Sequence, residues 1–588
     1  MDASLNIANS SVNPYKNKLW NYVLQYKNMA ITGLLCLISI AAASITQPLI
    51  LKQIIDKAVP AGNTGLMLTY AFGYLGIVIT SGVLSYYGTI LLSKMGLSIV
   101  THIKKDLFSH LLKLPLSYLD EHPVGELMSR TENDTERIRD FFSTIGVTLI
   151  VNALVMAGIF AVTFTLAPAL AWIMLGVTSF FIFILFFYFN RLIKLYDKSR
   201  SLYAQILAKV TEFIQGIEIV KVFNRTRWAV GSLDQTGKAK KDVDVKTSMI
   251  EYAAMSALDS LVGPVFIVAL LLLYSPKVLS GGMTLGTLLL FFEYGSALLR
   301  PVVQIAESLR SMQQSRTSLR RILGIMALPE EAGKANTLLP HFEHEVRFDH
   351  VWFAYKGEDW VVRDLSFVIP KGDMVAVVGP SGSGKSTAVG LLCGFYRAQK
   401  GAIYVDDVPL DALNLDAWRK TIGLVLQDVY LFPGSVLENV RVYNDDIPEE
   451  TVKRALETVQ ANDIVDSLPD KLQTNLWERG SNLSAGEKQL IAFARALAAN
   501  PELVILDEAT SNVDMETEAR ITRSLEKLLQ NRSSLIVAHR LSSILHADQI
   551  LFFSDGEILA RGTHSELLNK LPEYRELVQQ QFLEKAEA

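Results

Sequence analysis

Gly379-Pro-Ser-Gly-Ser-Gly-Lys-Ser-Thr387 is the stretch on which the reading of this chain turns. It fits G-x-x-x-x-G-K-[ST], follows the strand-like run Met374–Val378 and opens the helical stretch Ser386–Cys393, which is the context the pattern requires. Gly379, Gly382 and Gly384, with Pro380, Ser381 and Ser383 between them, allow backbone N–H groups to wrap phosphates, and the helix N-terminus adds its dipole. Lys385 is placed to reach β- and γ-phosphates, and the Ser386 hydroxyl, with Thr387 behind it, to ligate a metal. The expected cofactors are ATP and Mg2+. Further along, 122 residues past Lys385, Leu503-Val-Ile-Leu-Asp-Glu508 reads as a buried apolar strand ending in two acids. The carboxyl edge of a parallel sheet is where ligands bind, so Asp507 is expected at the metal and Glu508 at the attacking water.

Outside this run, composition sets limits. The chain has 588 residues, half of them hydrophobic and only 20% charged, which is greasier than a soluble protein of this size. Apolar residues are too many for disorder, and 36 Gly with 19 Pro are too few for a collagen-like chain. Fifty-six basic against 60 acidic residues give a net charge of −4, so no nucleic-acid partner is expected. Cys36 and Cys393 stand in an apolar run and a helical stretch and make no disulfide framework.

The apolar residues are concentrated in the first half. Met29–Leu51 and Ala58–Ser93 carry no charge, and neither does Phe141–Asn190, a run of 50 residues broken near Ala167–Pro168. About 20 residues span a bilayer, so the long run predicts a helical hairpin. Ala253–Pro276 and Met283–Leu299 complete six spans. Arg191–Leu258 holds 12 Lys/Arg and Lys94–Asp140 holds seven, whereas the hairpin turn Thr165–Ala169 has none. The positive-inside rule places both long loops, the N-terminus and the C-terminal half in the cytoplasm of a multi-pass cell-membrane protein.

Apolar residues at helical spacing (Ile99, Ile103, Leu107, Leu111) predict that the helices run on beyond the bilayer, with turns near His122–Gly125 and Asn224–Arg227. The expected organisation is an N-terminal segment 1–28, a six-helix transmembrane domain 29–323, a linker 324–346 and an α/β nucleotide-binding domain 347–588. In the last, strand-like runs alternate with amphipathic helices.

Leu483-Ser-Ala-Gly-Glu487, just ahead of the acidic strand, resembles the LSGGQ signature of ATP-binding cassette (ABC) transporters. With the phosphate loop and the acidic strand it makes the second half similar to that family's P-loop NTPase domain. Six spans ahead of one such domain resemble an exporter half-transporter, and the resemblance covers nearly the whole chain. By resemblance, Tyr355 stacks on adenine, Gln427 senses the metal and the membrane domain, Glu478-Arg-Gly480 precedes the signature, Ser511-Asn-Val-Asp514 is the D-loop and His539 the switch histidine. The family implies a dimer in which Ser484 and Gly486, at the start of the helix Lys488–Ala498, complete the ATP site of a second chain. The two cytosolic turns resemble coupling helices that dock beside Gln427. The resemblance therefore implies ATP hydrolysis driving export of lipids, drugs, peptides or other hydrophobic and amphipathic molecules. An exporter-shaped importer and an ATP-switched membrane regulator are the alternatives.

Two departures bear on the partner. Ala485 and Glu487 stand where the family has Gly and Gln, and the D-loop has Asn512-Val513 where Ala-Leu is common. Such changes resemble those of heterodimeric exporters, so the expected partner is a different half-transporter rather than a second copy. Asp259, Glu293 and Arg300 lie in or near the last two spans. Intramembrane ionisable residues point to function, with an Asp259–Arg300 pair as the plainer reading and a cavity-facing Glu293 as the sharper one.

Overall fold

The computed structural model describes residues 21–257, 263–331, 338–340, 342–507, 515–530, 532–538 and 544–587. The chain forms two compact units, one from the residues up to Leu112 together with Gly125–Leu328, the other from Lys113–Val124 together with Pro329–Ala588.

The first unit is helical: α1 (Lys27–Gln53), α2 (Thr64–Leu111), α3 (Gly146–Leu166), α4 (Pro168–Gln215), α5 (Thr226–Ala257), α6 (Gly263–Leu279) and α7 (Leu285–Met326), with short segments between. Four helical stretches are long and apolar enough to cross a membrane: Lys27–Ala58, Thr64–Leu111, Val124–Leu166 and Leu285–Met326. Pro168–Ile184 and Pro264–Leu279 are shorter apolar stretches, so six follow in the order the sequence predicts. The hairpin break falls at Ala167, which is extended (φ −152°, ψ 82°), with Pro168 opening α4. Proline disfavours the helical region for the residue before it, and its own fixed φ suits the first helical position.

Helices α2 and α4 have 48 residues each, about 72 Å against a hydrocarbon core of about 30 Å. Part of each must therefore extend beyond the hydrocarbon core. Ile99, Ile103, Leu107 and Leu111 of α2 are buried, as their spacing predicts.

Near the other end, a π-turn at Ile54–Ala58 presents Asp56, whose carboxylate accepts from Thr284 Oγ1 at 2.6 Å and Gly286 N at 2.8 Å. A carboxylate thus satisfies an orphan N–H at the start of α7 and sits at its positive dipole end. Tyr294 of α7 is fully buried among Ile159, Leu170, Met174 and Phe291, and its hydroxyl donates to the Ile45 carbonyl at 2.8 Å. Glu293 and Arg300 on the same helix are exposed in this chain, and Asp259, the expected partner of Arg300, lies outside the described residues.

A second polar cluster joins the segment before α3 to the end of α7. Asp134, 5% exposed, closes a π-turn at Arg130–Asp134 and accepts from Ser318 Oγ and Arg321 Nε, each at 2.8 Å. Ser315 Oγ donates to the Arg137 carbonyl at 2.8 Å.

The second unit is built on a six-stranded sheet ordered β12-β11-β3-β10-β9-β6. Its strands are β3 (Met374–Val378), β6 (Ile422–Val425), β9 (Leu503–Asp507), β10 (Ser533–Val537), β11 (Gln549–Ser554) and β12 (Glu557–Gly562). All neighbours pair in parallel except β11 and β12. A four-stranded sheet ordered β2-β1-β4-β5 holds β1 (Glu345–Ala354), β2 (Trp360–Pro370), β4 (Lys400–Val405) and β5 (Val408–Pro409), and a two-stranded one holds β7 (Gly434–Ser435) and β8 (Asn475–Leu476).

Side chains alternate across a strand, and the parallel strands divide accordingly. Ala376, Val378, Val504, Leu506 and Ile536 point into a core shared with Leu490, Ile491 and Phe493 of α9 (Ala485–Ala498). Val375, Val377, Leu503, Ile505, Leu535 and Val537 point into a core shared with Ala388, Val389, Leu391 and Leu392 of α8 (Lys385–Leu392). The two helices therefore lie on opposite faces of one sheet.

Candidate active site

Strand register gathers the site. Val377 of β3 is level with Val537 of β10, which is level with Asp507 of β9. Val425 of β6 is level with Leu506. The phosphate loop leaves β3, Asp507 ends β9 and Gln427 follows β6, so all stand at the carboxyl edge of adjacent parallel strands. Glu508 comes next after β9 and His539 next but one after β10. Both lie outside the described residues, as does Ser511–Asp514.

The loop backbone requires glycine at its start, because a Cβ on Gly379 would stand 2.1 Å from the Phe553 carbonyl oxygen of β11. Gly384 has φ +96° and serves as N-cap of α8, and Gly382 has φ +81°. Ser381 and Ser386 are exposed, and Thr387 is buried. Lys385 is only 5% exposed and donates to the carbonyls of Gly379 at 2.9 Å and Pro380 at 2.8 Å. Burial lowers its pKa, because desolvation penalises the ammonium, and the nearby Asp507 carboxylate opposes that shift.

Asp507 is 8% exposed, and its Oδ1 is buried with no hydrogen-bond partner among the described residues. A buried carboxylate oxygen left unpaired costs free energy and calls for a ligand or water. Among the described residues no group of three or more His, Cys, Asp or Glu could cage a metal. Mg2+ is typically held by one or two protein oxygens plus substrate phosphates, so the donor set fits it.

Tyr355 follows β1, is 48% exposed, and its hydroxyl stands 3.1 Å from Thr387 Oγ1. Its ring is thus held beside the start of α8 with one face open. The signature helix begins at Ala485, three residues earlier than the sequence suggests, because Ser484 caps it. Ser484 Oγ accepts from Glu487 N at 3.3 Å and Glu487 Oε2 accepts from Ser484 N at 2.8 Å, a reciprocal capping box.

The segment that follows α2 has neighbours that the sequence does not mark. The short helix Leu116–Glu121 is held through Asp120, whose carboxylate accepts from Tyr396 Oη. The Lys113 carbonyl accepts from Glu331 N at 2.8 Å. Glu331 in turn forms a two-point pair with Arg419, at 2.7 and 2.8 Å. Tyr396, Glu331 and Arg419 escape a sequence reading because nothing in their spacing marks them.

A glycine-rich loop between a parallel strand and a helix, facing an orphaned acid, defines a P-loop nucleotide-binding fold, here carried by the same chain as a helical membrane domain. Residues 30–302 match the family model for the ABC transporter transmembrane region and residues 362–511 that for the ABC transporter. An ABC transporter ATP-binding protein of Streptococcus pneumoniae is 32% identical over 556 residues, 94% of each chain. A fatty acid ABC transporter ATP-binding/permease protein of Mycobacterium bovis is 32% identical over 482 residues, 81% of this chain and 76% of that one. The solved structure of a bacterial Atm1-family ABC exporter with ATP bound has the same fold, with TM-score 0.80 and 24% identity, covering 94% of this chain and 98% of its own. The chain belongs to the ABC transporter family. It is a multi-pass membrane protein whose nucleotide-binding ATPase domain is coupled to transport.

Proposed function

We propose that the chain exports hydrophobic or amphipathic molecules, of which fatty acids and their analogues are the first class to test, as one half of a dimer that closes on two ATP. One observation carries the reading: α8 and α9 occupy opposite faces of the central sheet, which supports a signature at Ser484–Glu487 that serves the phosphate site of another domain rather than its own. A second domain is needed, and its phosphate loop meets Ser484 and Gly486.

The residues divide the work of phosphoryl transfer, which is mostly positioning and charge stabilisation. Tyr355 stacks on adenine. The amides from Gly379 to Thr387 surround the phosphates, and Lys385 leaves the carbonyls of Gly379 and Pro380 for the β- and γ-phosphates. Ser386, Asp507 and Gln427 would hold Mg2+, which when bound supplies charge neutralisation at the transferring phosphate. Glu508 accepts the proton of the attacking water, and His539 contacts the γ-phosphate. The 12 and seven basic residues of the two long loops support a cytoplasmic nucleotide domain and N-terminus.

The Glu487 carboxylate favours a different half-transporter as partner. It accepts from Ser484 N and adds negative charge where a partner's γ-phosphate would bind, whereas the Ser484 hydroxyl, an acceptor in the cap, keeps its own hydrogen to donate. The test is hydrolysis and transport by the chain alone, reconstituted in vesicles with the nucleotide domain outward. Glu508→Gln should lower any turnover by about a hundredfold or more, and ATP should drive a fluorescent fatty acid into the lumen wherever turnover occurs. ATP binding without turnover supports the two-component dimer, and robust Glu508-dependent turnover establishes a homodimer instead. Movement out of the lumen would overturn export.

A further inference from the structure

Tyr396 stands at the junction of three parts of the second unit. Its ring lies in the turn after α8, edge-on to Tyr355 (centroids 5.3 Å apart, planes at 85°) and 5.3 Å from Phe353. On a third side it abuts α8 itself, since a Cβ on Gly390 would stand 3.0 Å from the ring. Its hydroxyl donates to Asp120 on the helix Leu116–Glu121. That helix continues the chain from the end of α2 at Leu111. Asp120, Tyr355, Tyr396 and Arg397 line a cleft of about 950 Å3 beside the exposed face of Tyr355.

The packing restricts what the ring can do. Side chains in van der Waals contact pass a displacement on to their neighbours. Two aromatic walls and the helix backbone enclose Tyr396, and the side left open is the one bonded to Asp120. Burial and the Asp120 carboxylate both raise the phenol pKa, so the hydroxyl remains a donor.

We propose that Tyr396 is a positioning residue that makes the segment Lys113–Val124 sensitive to the base of the bound nucleotide, by passing a shift of the Tyr355 ring to Asp120. The phosphates engage α8 directly, whereas the base is read through Tyr355, Tyr396 and Asp120. A purine stacked on the open face of Tyr355 turns that ring, Tyr396 follows along its edge contact, and the hydrogen bond to Asp120 moves the helix Leu116–Glu121. This rests on the reading of Tyr355 as the adenine-stacking residue.

The test is hydrogen exchange of the peptide covering residues 113–124 in the full-length Glu508→Gln protein, with ATP or with inorganic tripolyphosphate, which has no base. ATP should change exchange by about tenfold and tripolyphosphate by less than about twofold. Tyr396→Phe, which keeps the ring, and Asp120→Ala should each make ATP behave like tripolyphosphate while ATP affinity stays within about twofold. Asp120→Asn, which still accepts from the phenol, should restore the response. An equal response to tripolyphosphate in the parent protein, or a full ATP response in Tyr396→Phe, overturns the relay. Tyr355→Ala with unchanged ATP affinity overturns the stacking reading, and the relay with it.

Discussion

Two buried aspartates do opposite things. Asp134 in the membrane unit is 5% exposed and fully engaged, with Ser318 and Arg321 supplying hydrogen bonds of 2.8 Å. Asp507 in the nucleotide unit is 8% exposed, yet its Oδ1 has no partner among the described residues, and the nearby Lys385 ammonium is turned onto backbone carbonyls. Burial is the same within a few per cent, so the difference lies in satisfaction. An acid whose partners are built in holds a structure together. An acid left unsatisfied beside a cation with replaceable partners is a place prepared for a ligand.

The largest effect should come from the unsatisfied member. Asp507→Asn should cut ATP hydrolysis by about a hundredfold or more, while the unfolding midpoint of the nucleotide unit stays level or rises, because a desolvated charge is removed. Calorimetry beside a turnover assay checks both halves, and a large loss of stability would break the contrast. Asp134→Ala should do the reverse. It removes hydrogen bonds to a charged group, costing about 1–2 kcal/mol after allowance for the half-exposed Arg321, with ATP affinity unchanged. Faster hydrogen exchange over residues 130–140 and an unaltered nucleotide titration would establish it.

The smallest effect sharpens the comparison at a third acid. Glu487 is satisfied by the cap it forms, and Gln can take the same place in a capping box. Glu487→Gln should therefore cost less than about 0.5 kcal/mol, yet strengthen ATP-dependent dimerisation up to about threefold by removing a negative charge from the helix start. Weaker dimerisation, measured by analytical ultracentrifugation of the Glu508→Gln background, would show that the carboxylate assists the site.

Much of this was legible without coordinates. The phosphate loop follows β3 with the boundaries that Met374–Val378 implies, and β9 ends at Asp507, because apolar runs bounded by glycine or acids have few other readings in a parallel sheet. The buried stripe of α2 and the break at Ala167 followed from periodicity and from proline chemistry. Partnerships across long separations were not legible. Asp120 and Tyr396 are 276 residues apart, and neither stands in a pattern, so only the fold brings them together. The satisfaction of Asp134 was equally hidden, since nothing in its spacing marks it, whereas Asp507 reads as a metal ligand without any sign that its Oδ1 lacks a partner among the described residues. Even Glu487, visible as a departure from the signature, gave no sign that its charge is spent on its own helix cap.

The second unit is discontinuous along the chain, with Lys113–Val124 set among residues from Pro329 onward. That has a consequence for how the protein is made. The twelve-residue piece leaves the ribosome roughly 200 residues before Glu331 and roughly 270 before Tyr396, a delay of about 10–55 s at ordinary elongation rates. Through that interval Asp120 has no phenol to meet. Both cores of the nucleotide unit draw only on residues from Phe342 onward, so the domain can fold from its own contiguous sequence, and joining Lys113–Val124 is a later step, the capture of a segment synthesised long before.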